Sequence, residues 1–234
     1  MQQQSEGRKI HGVAEHAREG GEARFALSLL NEAMRMYSKE NDDLGFAEAI
    51  TSGVLSLRHL AQEADDVRYL IFAKHWAEAA VEIAEKSGQK DALALPYQRL
   101  GSVNAELEEW GKAAENFGKA VQFMQSNPPK PHDRPAVLAD MKVHLSFAEY
   151  MNGDKTARER LDHAAEEVKD SDEATYNKDV WYSGALMKKA EMLHEDDPQA
   201  SQEALQNAKE IIDGNSDLKK RREQWEKLNA RLGA

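Results

Sequence analysis

Apolar residues recur along this chain at spacings of three and four, the period of an amphipathic α-helix and not of a strand. Between Glu6 and Arg18 the stripe is Ile10, Val13, Ala14 and Ala17, and Gly20-Gly21 then breaks it. A second helix is predicted from Glu22 to Ser38, with Phe25, Ala26, Leu29, Leu30, Ala33 and Met34 on its apolar face. The polar turn Asn41-Asp42-Asp43 offers an N-cap to a long helix from Leu44 to Ala64, which carries Ala47, Ile50, Val54, Leu57, Leu60 and Ala61. After Asp65-Asp66 another helix runs to Glu85 with Leu70, Ala73, Trp76, Ala77, Ala80 and Ile83 inward, and Ser87-Gly88 closes the pair.

The second half repeats the scheme. Asp91 is expected to cap the next helix, with Pro96 in its first turns, where a missing N–H costs least. The stretch Ala94 to Gln125 then reads as a complete helix–turn–helix hairpin. Residues 126–135, SNPPKPHDRP, hold four of the chain's six prolines. This segment is expected to be non-helical, a long loop inside one domain spanning 1–234. The pattern resumes at Ala136 with Leu138, Met141, Leu145 and Ala148, turns at Asn152-Gly153-Asp154, and continues with Ala157, Leu161 and Ala164. A fifth pair is read from Asp179 to His194 and from Pro198 to Gly214-Asn215, the second helix anchored by Ser201, Leu205 and Ala208. The final helix, 217–232, sets Leu218, Trp225, Leu228 and Leu232 on one side and Lys219, Lys220, Arg221, Arg222 and Lys227 on the others. An apolar stripe under a solvated charged exterior is what the end of a repeat stack needs as a cap.

The second helices share a small–large–small signature. Ala26, Leu30 and Ala33 match Ala73, Ala77 and Ala80, then Ala113, Phe117 and Ala120, and so on to Ser201, Leu205 and Ala208, with first anchors 47, 40, 44 and 44 residues apart. In the central hairpin Tyr97-x-x-Leu100-Gly101 precedes Ala113-x-x-x-Phe117 and Ala120. That hairpin resembles a tetratricopeptide repeat (TPR), with Asn104 standing where the family usually has Tyr and Gln125 where it often has Pro. The period exceeds the 34 residues of the plain unit, as in long-helix members, and also falls in the range of HEAT-type units. The resemblance implies an all-α fold: an α-solenoid, or right-handed superhelix, of about five antiparallel helix pairs plus a C-terminal capping helix. It further implies that the first helix of each pair lines a concave groove. The polar positions expected there are Arg58, Gln62, Gln98, Arg99, Ser102, Lys142, Ser146 and Glu149, preceded in the first pair by His11, Glu15 and Arg18.

Composition narrows the chemistry. A net charge of −11 argues against nucleic acid as a partner, and the absence of cysteine excludes disulfides and thiolate chemistry. No apolar run approaches the ~18 residues of a membrane span, and the N-terminal residues lack the apolar core of a signal peptide, so a cytoplasmic location is expected. The eight histidines show no metal-binding spacing, and Asp42-Asp43, Asp65-Asp66 and Asp196-Asp197 each lack the third carboxylate of a magnesium-binding D-D-x-x-D segment. No metal, cofactor or catalytic set is expected. The function this implies is a scaffold or adaptor that holds a peptide or helical segment of a partner protein. A peptide-responsive regulatory module is the alternative, an all-α enzyme comes third, and homo-oligomerisation through an end repeat is left open.

Overall fold

The computed structural model describes residues 5–233, which form eleven α-helices, two short 3₁₀ turns and, among the described residues, no strand. The helices are α1 (Glu6–Glu19), α2 (Ala23–Glu40), α3 (Asp43–Ala64), α4 (Arg68–Lys86), α5 (Ala94–Glu106) and α6 (Trp110–Ser126), followed by α7 (Pro135–Met151), α8 (Ala157–Lys169), α9 (Thr175–Leu193), α10 (Pro198–Gly214) and α11 (Lys219–Leu232). Contacts divide the chain into two compact units, residues 1–129 and 130–234, with the boundary inside the proline-rich segment.

In the first unit three antiparallel hairpins, α1/α2, α3/α4 and α5/α6, follow one another. Their cores are two joined clusters, one around Ala14, Leu30, Tyr37 and Ile50 and one around Val54, Leu57, Ala73, Ala77 and Val103, with Trp76 packed against both. The second unit holds α7/α8, α9/α10 and α11. Leu218, Leu228, Trp225 and Leu232 lie against Leu186, Met187, Ala190, Leu205 and Ala208, so the final helix covers the apolar face of the last hairpin.

Every anchor of the small–large–small signature is buried, from Ala26 through Phe117 to Ala208. The small residues let paired helices come close, and each large one fills the gap between them. Gly101 shows how close. A Cβ built there would sit 2.8 Å from Cδ1 of Phe117, so the phenyl ring lies directly on the glycine backbone. Burying that ring stabilises the hairpin by roughly 1.5–3 kcal/mol.

Helix ends follow local chemistry. Asp42 caps α3 by accepting from Gly45 N–H at 2.8 Å, and Asp197 caps α10 by accepting from Ala200 N–H at 3.1 Å. Three turns put a non-glycine residue in the left-handed region, Asn41, Asp65 and Glu108. Several boundaries differ from the sequence expectation. Asp91 lies inside a 3₁₀ turn, Lys90–Ala92, and α5 starts with no side-chain cap. The segment 126–135 contains a second 3₁₀ turn, Lys130–His132, and its last proline opens α7, where a helix tolerates it. Helix α9 begins four residues before Asp179 because Glu173 holds its start, accepting from Ala174 N–H at 3.2 Å and from Asn177 Nδ2 at 2.9 Å.

Candidate functional site

The residues expected to line a groove sit on α3, α5 and α7, the first helices of their pairs. In the first unit α3 and α5 are neighbours, and Arg58 bridges them: its Nε donates to Glu106 Oε1 at 2.8 Å, and Nη2 reaches the same carboxylate. Gln62 is exposed, Arg99 is half-buried, and Gln98 and Ser102 are buried, one helical turn apart, with Ser102 Oγ donating to the Gln98 carbonyl at 2.9 Å. In the second unit Lys142 pairs with Glu167 at 2.9 Å and Glu149 with Arg160 at 2.8 Å, both partners on α8. Ser146 is buried between them on the helix.

Residues that the sequence did not single out complete the seam between the second and third hairpins. Lys74 on α4 holds Glu109 at 2.6 Å, and Glu109 also accepts from Asn104 Nδ2 at 2.8 Å. Asn104 Oδ1 in turn accepts from Asn116 Nδ2 at 3.0 Å. The hydrogen bond from Lys74, joined by Lys112, holds the Glu109 carboxyl below its ordinary range. Asn104, which stands where the repeat pattern has Tyr, is therefore a buried middle link of a polar chain that joins α4, α5 and α6. The visible signal was the replacement itself, an amide at a large aromatic's position.

The first pair departs from the expectation of a solvated polar face. His11 is only 4% exposed, enclosed by α1, α2 and α3. Its Nε2 lies 2.9 Å from Ser52 Oγ and its Nδ1 lies 3.3 Å from the Tyr37 hydroxyl. With hydrogen on Nε2, His11 donates to Ser52 and Nδ1 accepts from Tyr37, an arrangement that leaves the Ser52 proton for Glu15 at 3.4 Å. Burial pushes the Tyr37 hydroxyl up to about 12, so it stays a donor, and burial lowers the His11 pKa. The serine–histidine contact is thus a satisfied core element.

The C-terminal helix also departs from expectation. Arg221, assigned by the sequence to a solvated face, runs across Gly184 of α9, donating from Nη2 to the Val180 carbonyl at 2.9 Å and from Nη1 to Gln224 at 2.8 Å. Its Nε has no partner. Burial pulls the guanidinium below its ordinary pKa, while the Asp140 charge works against that shift. The acidic pairs are absorbed by structure as well. Asp42 and Asp197 are caps, Asp66 holds Arg68 at 2.7 Å, and Asp196 accepts from Tyr150 and Lys155. Among the described residues no three His, Asp or Glu side chains converge as a metal site, and no helix is long and apolar enough to cross a membrane.

Two solved structures are similar in fold. One is a candidate kinesin light chain of Podosopora anserina built from nearly identical TPR-like repeats, matched with a TM-score of 0.62 and 15% identity over 90% of this chain and 97% of that one. A variant form of that same protein matches with a TM-score of 0.61 and 15% identity over 87% and 93%. The fold is that of TPR-like helical repeats. At this identity the likeness concerns the fold alone. No family model matches the chain, and no curated protein does.

Proposed function

We propose that this protein is a non-catalytic scaffold that holds a peptide or helical segment of a partner protein against the first helices of its repeats. The observation that supports this most directly is the Arg58–Glu106 seam, a partly exposed charge pair between first helices of adjacent hairpins, with exposed Gln62 one turn beyond Arg58 on α3. Charged and amide groups at such a seam can exchange an internal partner for a peptide's carboxylates or amides at little net cost. The candidate contacts are Arg58, Gln62 and Arg99 in the first unit and Lys142 and Glu149 in the second, with Gln98, Ser102 and Ser146 buried behind them on the same helices. The net charge of −11 disfavours nucleic acid as the partner, and the absence of cysteine fits a cytoplasmic setting.

Affinity capture from native lysate, with wild type beside an Arg58→Ala/Arg99→Ala/Lys142→Ala variant, tests the reading. Wild type should retain partners that the variant loses, while Glu106→Ala, which leaves Arg58 in place, keeps them. Identical partners and affinities for all three proteins refute the assignment. A second reading, a module that changes curvature when it binds a short peptide, draws on the same seam, because an ion pair between hairpins can open without unfolding either. X-ray scattering profiles that shift on adding a bound peptide would favour it over a rigid scaffold.

A further inference from the structure

Helix α2, the second helix of its pair, carries an exposed stripe of Asn31, Arg35, Ser38 and Lys39. Beside it lies an open depression of about 480 Å³ between α2 and the start of α3, with Met34 and Phe46 as its apolar lining. The depression is open to solvent over most of its face. In the first unit Arg8 is matched to Glu48, Arg58 to Glu106, Lys74 to Glu109 and Lys86 to Glu82. Arg35 and Lys39 have no such partner among the described residues, although the chain carries 42 acidic side chains against 31 basic ones. Of the nearby carboxylates, Glu40 accepts from Gly7 N–H at 3.2 Å and Asp42 from Gly45 N–H, while Glu32 and Asp43 form no ion pair with either cation.

Residues four apart on a helix hold their Cβ atoms roughly 5–6 Å apart on one face, so a single carboxylate can lie between Arg35 and Lys39. Asn31 and Ser38 flank that position with uncommitted donors and acceptors. We propose that this depression is a second docking surface, distinct from the first-helix face, which takes a short acidic segment of a partner protein. A carboxylate of the segment lies between Arg35 and Lys39, and an adjacent bulky apolar side chain covers Met34 and Phe46. Charge complementarity selects this occupant: on a protein of net charge −11, an acidic ligand is repelled in general and must be drawn to a local pair of free cations.

The test is a titration of the full chain with a fluorescent Glu-Glu-Leu-Phe-Glu-Glu peptide, blocked at both ends, followed by polarisation and by amide NMR shifts. Saturable binding that perturbs α2 and the first turns of α3 is expected. It should weaken at least tenfold for Arg35→Glu/Lys39→Glu, for a peptide with every Glu replaced by Gln, and for one with Leu-Phe replaced by Ser-Ser. It should also fall steadily with added salt. An Arg58→Ala/Arg99→Ala variant should bind the peptide unchanged, which separates this surface from the proposed groove. Both substituted positions are exposed, and Arg35→Gln/Lys39→Gln gives a second variant of matched fold, checked by melting. Four results would overturn the proposal: no saturable binding, equal binding of the Gln peptide, shifts confined to α3 beyond its first turns and to α5, or a dimer of the free protein abolished by Arg35→Glu/Lys39→Glu.

Discussion

Two glycines in this molecule each lie under the side chain of a neighbouring helix, and the two side chains could hardly differ more. At Gly101 the covering group is the Phe117 ring, fully buried and part of the repeat signature. At Gly184 it is the Arg221 guanidinium, with Nη2 3.1 Å from where a Cβ would stand. Both contacts use the missing side chain to bring helices together. The first gains apolar burial with no polar group to satisfy. The second takes a charge partly out of water and returns two hydrogen bonds, neither to a carboxylate, while Nε goes unpaired. Burying a charge without an adjacent counter-ion is costly even when it is partly hydrogen-bonded. The repeat hairpin is therefore the strong element, and α11 is held by its Leu and Trp contacts in spite of Arg221.

Substitutions should expose that contrast. The largest effect is expected for Gly101→Leu, which drives a branched side chain into the Phe117 ring. Overpacking of this kind costs ~1–3 kcal/mol, a fall of about 2–4 °C per kcal/mol in a domain of this size. An unchanged melting temperature would mean that the ring does not hold the hairpin. Arg221→Met should go the other way, with stability unchanged or raised by about 1 kcal/mol and slower amide exchange in α11, since an apolar chain of similar length removes the buried charge. A clear loss of stability would show that the hydrogen bonds to Val180 and Gln224 outweigh desolvation.

A smaller effect separates the first hairpin from the rest. Burial lowers the His11 pKa, with Glu15 and Glu48 favouring the charged ring, Arg8 and Arg18 opposing it, and Tyr37 and Ser52 neutral. The unfolded chain thus takes up a proton near the ordinary histidine value of about 6.5 while the folded chain resists it. The stabilisation is complete above that pH and is lost as pH falls below it. Urea midpoints should drop more between pH 7.5 and pH 5.5 for wild type than for His11→Gln, and superimposable slopes would exclude the mechanism. The smallest effect is expected at the Arg58–Glu106 seam. A double-mutant cycle there should give a coupling of at most about 1 kcal/mol that shrinks with added salt.

The order of the helices, their pairing and the buried anchors were legible because they rest on local periodicity, which every hairpin repeats. The polar interior was not. His11 meets partners 26 and 41 residues away and Arg221 a carbonyl 41 residues away, so nothing in the neighbouring sequence marks either as buried. An arginine among four consecutive basic residues reads as solvated until the helix is set against Gly184. The seam was half visible. Arg58 was recognisable as a polar break in an apolar helix, but Glu106 and Glu109 close helix α5 and its turn, where carboxylates are commonplace. The early start of α9 was hidden for a related reason: Glu173 holds it from outside the helix.

The ion pairs at the seam between the second and third hairpins have a mechanical consequence in the first unit. Within a hairpin, displacement of one helix against the other must break interdigitated anchors such as Ala113, Phe117 and Ala120, and it meets steep resistance. Between the second and third hairpins, the apolar contacts of Val54, Leu57 and Val103 are joined by Arg58–Glu106 and Lys74–Glu109, charge contacts at the edge of solvent whose strength falls as mobile ions screen them. That seam keeps its apolar contacts at any ionic strength, while the part of its stiffness that comes from charge is set by the surrounding electrolyte as well as by the chain.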